Sequence, residues 1–132
     1  VVVRDYDPGL PSLRVDARLI RQAFVNVVLN AVQSMPAGGR LTLRMKNDHK
    51  GVKVEIGDTG PGIPADVRPR IFEPFFTTRA TGTGLGLAVV KRIVDGHRGE
   101  IDVTTTGESG TTFTLLLPLD PDEPASVDIA RL

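Results

Sequence analysis

DARLIRQAFVNVVLNAVQSM, residues 16–35, reads as one amphipathic helix around which the rest of the chain is organised. Asp16 serves as its N-cap, and Pro36 with Gly38 and Gly39 stops it. At about 100° per residue, Ile20, Phe24, Val27, Val28, Ala31 and Met35 share one broad apolar face, as a helix laid on a core requires. Beside that face, within an arc roughly 80° wide, runs an uncharged stripe of amides: Gln22, Asn26, Asn30 and Gln33. A solvated face would carry Lys and Glu, and Asn is a poor helix-interior residue because its amide competes for the backbone. Two explanations stand open. The amides satisfy one another, or they form the wall of a ligand or metal site.

Outward from the helix, the pattern changes to period two. Residues 1–6 read as a strand and 13–15 as a short extended piece after the turn at Asp7, Pro8 and Gly9. Leu41, Leu43 and Met45 alternate with polar residues, a turn falls at 48–51, and Val52, Val54 and Ile56 alternate again, giving a hairpin with one buried face. Residues 65–71 suggest a short helix, and 77–83 a small polar loop anchored by Phe72, Phe75 and Phe76. A second helix is expected over 85–95 with Leu87, Val90, Ile93 and Val94 on its core side, then a second hairpin, 99–106 and 111–117. Residues 119–132 (LDPDEPASVDIARL) are acidic and proline-bearing and read as a linker or frayed terminus.

Composition narrows the function classes. With 132 residues the chain fits one domain that buries roughly two thirds of its unfolded surface. Lys+Arg and Asp+Glu stand at 16 each, so neither nucleic acid nor an anionic membrane is expected to bind through bulk charge. The absence of cysteine excludes disulfides and thiolate chemistry and fits a reducing, cytoplasmic compartment; two isolated histidines, His49 and His97, do not make a metal site. No run approaches the length of a membrane span, and the missing initiator Met suggests a fragment of something longer.

The register of the second strand runs past Ile56 to Asp58, so a carboxylate falls on the inward face where an apolar residue was due. Such burial costs several kcal/mol, of order 2–7 for a neutral polar group and more for a charge, unless it is partnered. TGPGIP follows, a tight and sterically open turn in which Gly60 and Gly62 let a flat ligand approach the backbone. Either Asp58 merely closes an Asx turn, or it is a hydrogen-bond acceptor at a pocket floor. Thr111 shares the register of Phe113, so its hydroxyl also points inward. GTGLGL, residues 82–87, opens the second helix with N–H groups at the positive end of its dipole, a weak anion-site signal that lacks the GK[ST] of a P-loop. Together these parts suit a purine nucleotide with Mg²⁺: a carboxylate for the exocyclic amine, an amide oxygen for the ion, a helix start for phosphates.

In this order, QAFVNVVLNAVQSM, DTGPGIP, IFEPFFTTR, GTGLGLAVVKRIVDGHRGEI and GTTFTLLLP closely resemble the N, G1, F, G2 and last glycine boxes of the ATP-binding catalytic domain of sensor histidine kinases. That family shares a superfamily with gyrase, the heat-shock chaperones and the mismatch-repair ATPases, and the short loop with FFTT is most similar to the nitrogen-regulation type. The resemblance implies an α+β two-layer sandwich (the Bergerat fold): a mixed, mostly antiparallel sheet of about five strands against about three helices, over residues 1–118, with 119–132 as a tail. It implies Mg²⁺ at Asn30 and adenine at Asp58 with Thr111 assisting. ATP contacts extend over Asn26, Gly60, Gly62, Ile63, Arg79, Gly82, Thr83, Gly84, Leu85, Gly86 and Leu87. Residues 77–83 become the ATP lid, Arg79 a contact to the terminal phosphate, and Asn26 and Arg79 the groups at the reacting end. Asn30 and Asp58 are expected to line opposite ends of one cavity.

Two departures bear on mechanism. Gyrase-type ATPases carry a glutamate one turn before the metal-binding asparagine; here stands Asn26, which cannot act as a general base, so transfer to another acceptor is favoured over rapid hydrolysis. Gln33 stands where other subfamilies often carry lysine. In the family the acceptor is a histidine on a separate dimerisation domain, and a response regulator receiver domain takes the phosphate onward. The competing expectations are an anti-sigma-type serine kinase, which shares the fold, and a non-catalytic nucleotide-sensing module.

Overall fold

In the computed structural model, residues 1–10, 12–13, 15–74, 76, 86–105, 110–118 and 127–128 are described. The alternating stretches form strands and the two periodic ones form helices. Strand β1 (Val2–Tyr6), the short β2 (Ser12–Leu13) and helix α1 (Ala17–Gln33) are followed by β3 (Leu41–Asp48) and β4 (Gly51–Asp58). Then come helix α2 (Gly86–Gly96), β5 (Glu100–Thr105), β6 (Thr111–Pro118) and the short β7 (Val127–Asp128). The main sheet has the order β1-β3-β4-β6-β5; its pairs are antiparallel except β1 with β3, which is parallel. It is therefore mixed, as expected.

One face of the sheet carries the core. Leu41, Met45, Val52, Val54, Ile56, Val103, Phe113, Leu115 and Leu117 are buried against Ile20, Ala23, Val27 and Ala31 of α1 and Val90, Ile93 and Val94 of α2. Phe24, Val28 and Met35 complete the α1 face, half-buried. Asp16 caps α1 by accepting from the N–H groups of Arg18 and Leu19 (3.1 and 3.2 Å). The start of α1 is also tied to the end of α2: the Asp16 N–H donates to His97 Nε2 at 3.0 Å, while His97 Nδ1 lies 2.8 Å from the Ile93 carbonyl. Because a backbone N–H can only donate, Nε2 is the acceptor here and Nδ1 faces a carbonyl as donor. In the first hairpin His49 and Lys50 form the turn, closed by Asp48 accepting from the Lys50 N–H at 2.9 Å.

Two expectations are corrected. Residues 65–71 form no α-helix; they hold a single 3-10 turn, Arg68–Arg70, because Pro69 supplies no N–H and bars the residue before it from extending a helix. Residues 127–128 of the tail are not a frayed end, since β7 pairs antiparallel with β2. No helix among the described residues is long and apolar enough to cross a membrane.

Candidate functional site

The inward face of the β4–β6 ladder runs through Val52 against Leu117, Val54 against Leu115 and Ile56 against Phe113, and then reaches Asp58 against Thr111. Asp58 is 8% exposed and Thr111 5%, and among the described residues they are the only buried polar or charged side chains. Asp58 Oδ1 accepts from the Gly60 N–H at 2.8 Å, so the Asx turn exists. It employs one of the two carboxylate oxygens, and turn and ligand acceptor are compatible roles for this side chain.

Backbone closeness builds this end of the molecule. Gly110 has φ +118, and a Cβ there would collide with the carbonyl oxygen of Asp58. A Cβ on Gly60 would lie 2.8 Å from the Ser34 carbonyl oxygen and 3.0 Å from Asp58 Oδ1. Only glycine lets the β4 turn lie against the last turn of α1. Met35 Sδ, 3.4 Å from both the N–H and the hydroxyl of Thr59, reinforces that contact. The helix turn carrying Asn30 and the strand end carrying Asp58 therefore meet at one end of the α1–sheet interface.

Along the amide stripe, Gln22 Nε2 donates to Asn26 Oδ1 at 2.8 Å and Asn26 Nδ2 donates to the Gly86 carbonyl at 3.2 Å. Asn26 thus ties α1 to the first residue of α2, and the first half of the stripe is internally satisfied. Asn30, half-buried one turn on, is also engaged, and Gln33 is exposed. Gly62 takes φ +81 in the turn after Asp58, and Ile63 and Leu87 pack half-buried against the core. Arg79, Gly82, Thr83, Gly84 and Leu85 lie outside the described residues, as does the expected lid over 77–83.

A polar cleft of about 150 Å³ opens at the Asp58 end of the sheet, lined by Arg40, Thr42, Arg44, Glu55, Gly57, Asp58, Thr59 and Thr112. Asp58 borders this cleft and Asn30 does not. Two site-building residues escaped the sequence reading, Ser34 and Arg68, and Gly110 entered it only as the start of GTTFTLLLP. Arg68 Nη2 donates to Thr105 Oγ1 at 2.9 Å, and Thr105 is the β5 partner of Thr111; its buried Nε has no hydrogen-bond partner. Nothing in the sequence distinguishes this arginine from its neighbour Arg70.

A half-open α/β layer with helices on one face, a polar break at the end of its central ladder and a glycine-built junction beside an amide-bearing helix defines a class of ATPase domain. Residues 15–121 match the family described as histidine kinase-, DNA gyrase B-, and HSP90-like ATPase, and the chain belongs to that family. Its relatives within that family are sensor histidine kinases, and the structures it superposes on include the catalytic domain of the histidine kinase ThkA. It is 40% identical over 131 residues to the sensory histidine kinase/phosphatase NtrB of Vibrio alginolyticus, covering 90% of this chain and 37% of that protein. It is 38% identical over 122 residues to the signal transduction histidine-protein kinase AtoS of Escherichia coli K12, covering 90% of this chain and 20% of that one. Full-length ShkA in complex with AMPPNP superposes with a TM-score of 0.81 at 30% identity, over 96% of this chain and 26% of that one. ThkA in complex with the response regulator protein TrrA gives 0.77 at 29% identity, over 93% and 35%. The chain thus spans a fifth to under two fifths of the length of these curated relatives.

Proposed function

We propose that the domain, residues 1–118, binds ATP with Mg²⁺ at the Asp58 end of the molecule and passes the γ-phosphoryl group to a histidine on a separate dimerisation domain of the same cytoplasmic protein. From there an aspartate of a response regulator receiver domain takes it. The observation that supports this most is the Asp58–Thr111 pair, buried at the end of an otherwise apolar ladder, with Gly60 packed on the end of α1 and Gly110 on the Asp58 backbone. Asp58 accepts from the exocyclic amine of adenine, a charged hydrogen bond worth about 1.5–3 kcal/mol, and Thr111 assists. Ile63 and Leu87 offer apolar contact to the flat base, and the Gly62 turn carries the chain past it with no side chain. The phosphates extend toward the start of α2, where Gly82, Thr83, Gly84, Leu85 and Gly86 supply N–H groups and Arg79 the cation.

Among the described residues no cluster of three His, Cys, Asp or Glu could cage a metal ion. An ion here is held by few protein atoms, which fits Mg²⁺ carried on phosphate oxygens and water with the Asn30 amide oxygen as its protein ligand. When bound it neutralises charge on the transferring phosphoryl group. Asn26, bonded to the Gly86 carbonyl, positions α2 against α1 and offers no general base to a water molecule, so the γ-phosphoryl group waits for the acceptor histidine.

Calorimetric titration with ATP, with and without Mg²⁺, tests binding, and joining the domain to its histidine-bearing partner tests transfer. Asn30→Ala is expected to lower the Mg²⁺-dependent part of the affinity tenfold or more, on the order of 1.4 kcal/mol, and to abolish phosphohistidine. Unchanged phosphorylation would remove Asn30 from the metal. Acid-stable phosphoserine in place of acid-labile phosphohistidine would make this an anti-sigma-type serine kinase. The exposed amide of Gln33, where other subfamilies often carry lysine, favours a second reading as a nucleotide sensor; ATP binding with no phosphohistidine on reconstitution would establish it.

A further inference from the structure

Helix α1 is apolar on two sides. Ile20, Ala23, Val27 and Ala31 are at most 1% exposed and face the core, yet Val25, Leu29 and Val32 are 45%, 50% and 51% exposed. Those three stand at i, i+4 and i+7, and Arg18 and Arg21 extend the same row toward the helix start, so the row follows the 3–4 spacing of a helix–helix seam. At about 100° per residue its mid-line lies roughly 150° from that of the core residues. It is roughly 20 Å long, cationic in its first half and apolar in its second.

We infer that this row is a docking seam for an amphipathic helix that lays apolar residues on Val25, Leu29 and Val32 and presents acidic residues to Arg18 and Arg21. Charge selects the occupant. Both arginines are exposed, no acid pairs with either among the described residues, and the positive end of the α1 dipole adds to their field. Residues 17–33 contain no acidic side chain. The α1 of a second copy therefore brings no partner for them: parallel pairing would set arginine against arginine, and antiparallel pairing would bury arginine against valine. The acid must come from a different helix. The seam lies next to Gln22 and Gln33 of the amide stripe, so an occupant would border the nucleotide site, but the inference stands on α1 alone and not on ATP binding.

Two peptides of about 20 residues test it, each a designed amphipathic helix with a leucine seam, one with Glu and its twin with Lys at the end that meets Arg18 and Arg21. The chain is expected to bind the Glu peptide at least about tenfold more tightly than the Lys twin, measured by fluorescence anisotropy at low salt. Arg18→Glu with Arg21→Glu should reverse that preference. Leu29→Lys and, separately, Val25→Lys should weaken both peptides about tenfold or more while the melting temperature holds, because these side chains are already half in water. Equal binding of the two peptides, or binding that survives both lysine variants, would overturn the proposal. So would self-association of the chain that Leu29→Lys abolishes, or binding to phosphatidylserine vesicles with no binding to either peptide.

Discussion

The two ends of the β4–β6 ladder are built on the same strands, face the same helices and differ in one register step. At three successive inward positions the cross-strand pairs are Val52–Leu117, Val54–Leu115 and Ile56–Phe113; at the fourth the pair is Asp58–Thr111, buried almost as deeply. Apolar pairs in that environment stabilise the fold by removing surface from water at about 25 cal/mol per Å². A polar pair there contributes little and costs desolvation. A fold alone has no reason to keep Asp58 and Thr111, and the glycines that hold α1 against them constrain the backbone further. The proposed function puts stability in the first three pairs and ligand chemistry in the fourth, and that division is open to test.

The largest effect belongs to the apolar end. Phe113 is fully buried and its ring meets that of Phe72 edge-to-face, with centroids 6.3 Å apart at 77°. Phe113→Ala should cost about 3–5 kcal/mol, a fall of roughly 10 to 20 °C in Tm, while ATP affinity measured well below the transition stays within about twofold of the parent. A large loss of affinity in the folded variant would mean that the two ends are not separable. At the polar end the signs should exchange. Asp58→Asn keeps an Oδ1 for the Gly60 N–H, so the turn survives, but replaces an acceptor that would face the adenine amine by an amide. ATP affinity should fall about 10- to 100-fold with Tm level or raised. A drop of several degrees in Tm with affinity intact would reduce Asp58 to a turn residue.

How much of this was legible follows from the same contrast. Period two predicted both hairpins and placed Asp58 and Thr111 inward before any coordinates, because alternation is local and survives a change from apolar to polar. The capping role of Asp16 and the core face of α1 were legible for the same reason. What failed depends on partners distant in sequence. That β1 pairs in parallel with β3 is not written in VVRDY, whose residues are mostly exposed at the sheet edge. The two residues of β7 are too few to carry a pattern and gain their conformation from β2. The packing role of Gly110 and Gly60 is not written in the sequence, since the atoms they make room for, the carbonyls of Asp58 and Ser34, lie 52 and 26 residues away (110−58 and 60−34). Val25, Leu29 and Val32 were passed over because a single apolar face was sufficient to explain a core helix.

His97, outside both ends, calibrates the comparison. Its ring accepts from the Asp16 N–H and donates to the Ile93 carbonyl, tying the two helices by hydrogen bonds. His97→Ala leaves the Asp16 N–H without that acceptor and should lower stability by about 1 kcal/mol, read as a few degrees in Tm, with ATP affinity unchanged. A tenfold loss of affinity would instead show that the α1–α2 geometry is set here and that the site extends beyond the polar pair.

The smallest effect is expected on the outer face, where Lys46 lies 3.1 Å from Asp5 and 3.6 Å from Asp7. The hydrogen bond that Lys46 donates to Asp5, and with it the charges of both carboxylates, raise its pKa above the ordinary 10.5 against an opposing desolvation. Because the folded value is the higher one, the pair's contribution is fully present below the unfolded pKa and is lost as pH rises through the folded value. The side chains are well exposed, so water and salt screen the attraction. Lys46→Met should therefore move Tm by no more than about a degree at neutral pH, and the difference should vanish in roughly 1 M salt and again in strongly alkaline solution. A shift that persisted in high salt would show that the outer face contributes by packing of the Lys46 stem and not by charge, and would make it a third region to set beside the two ends of the ladder.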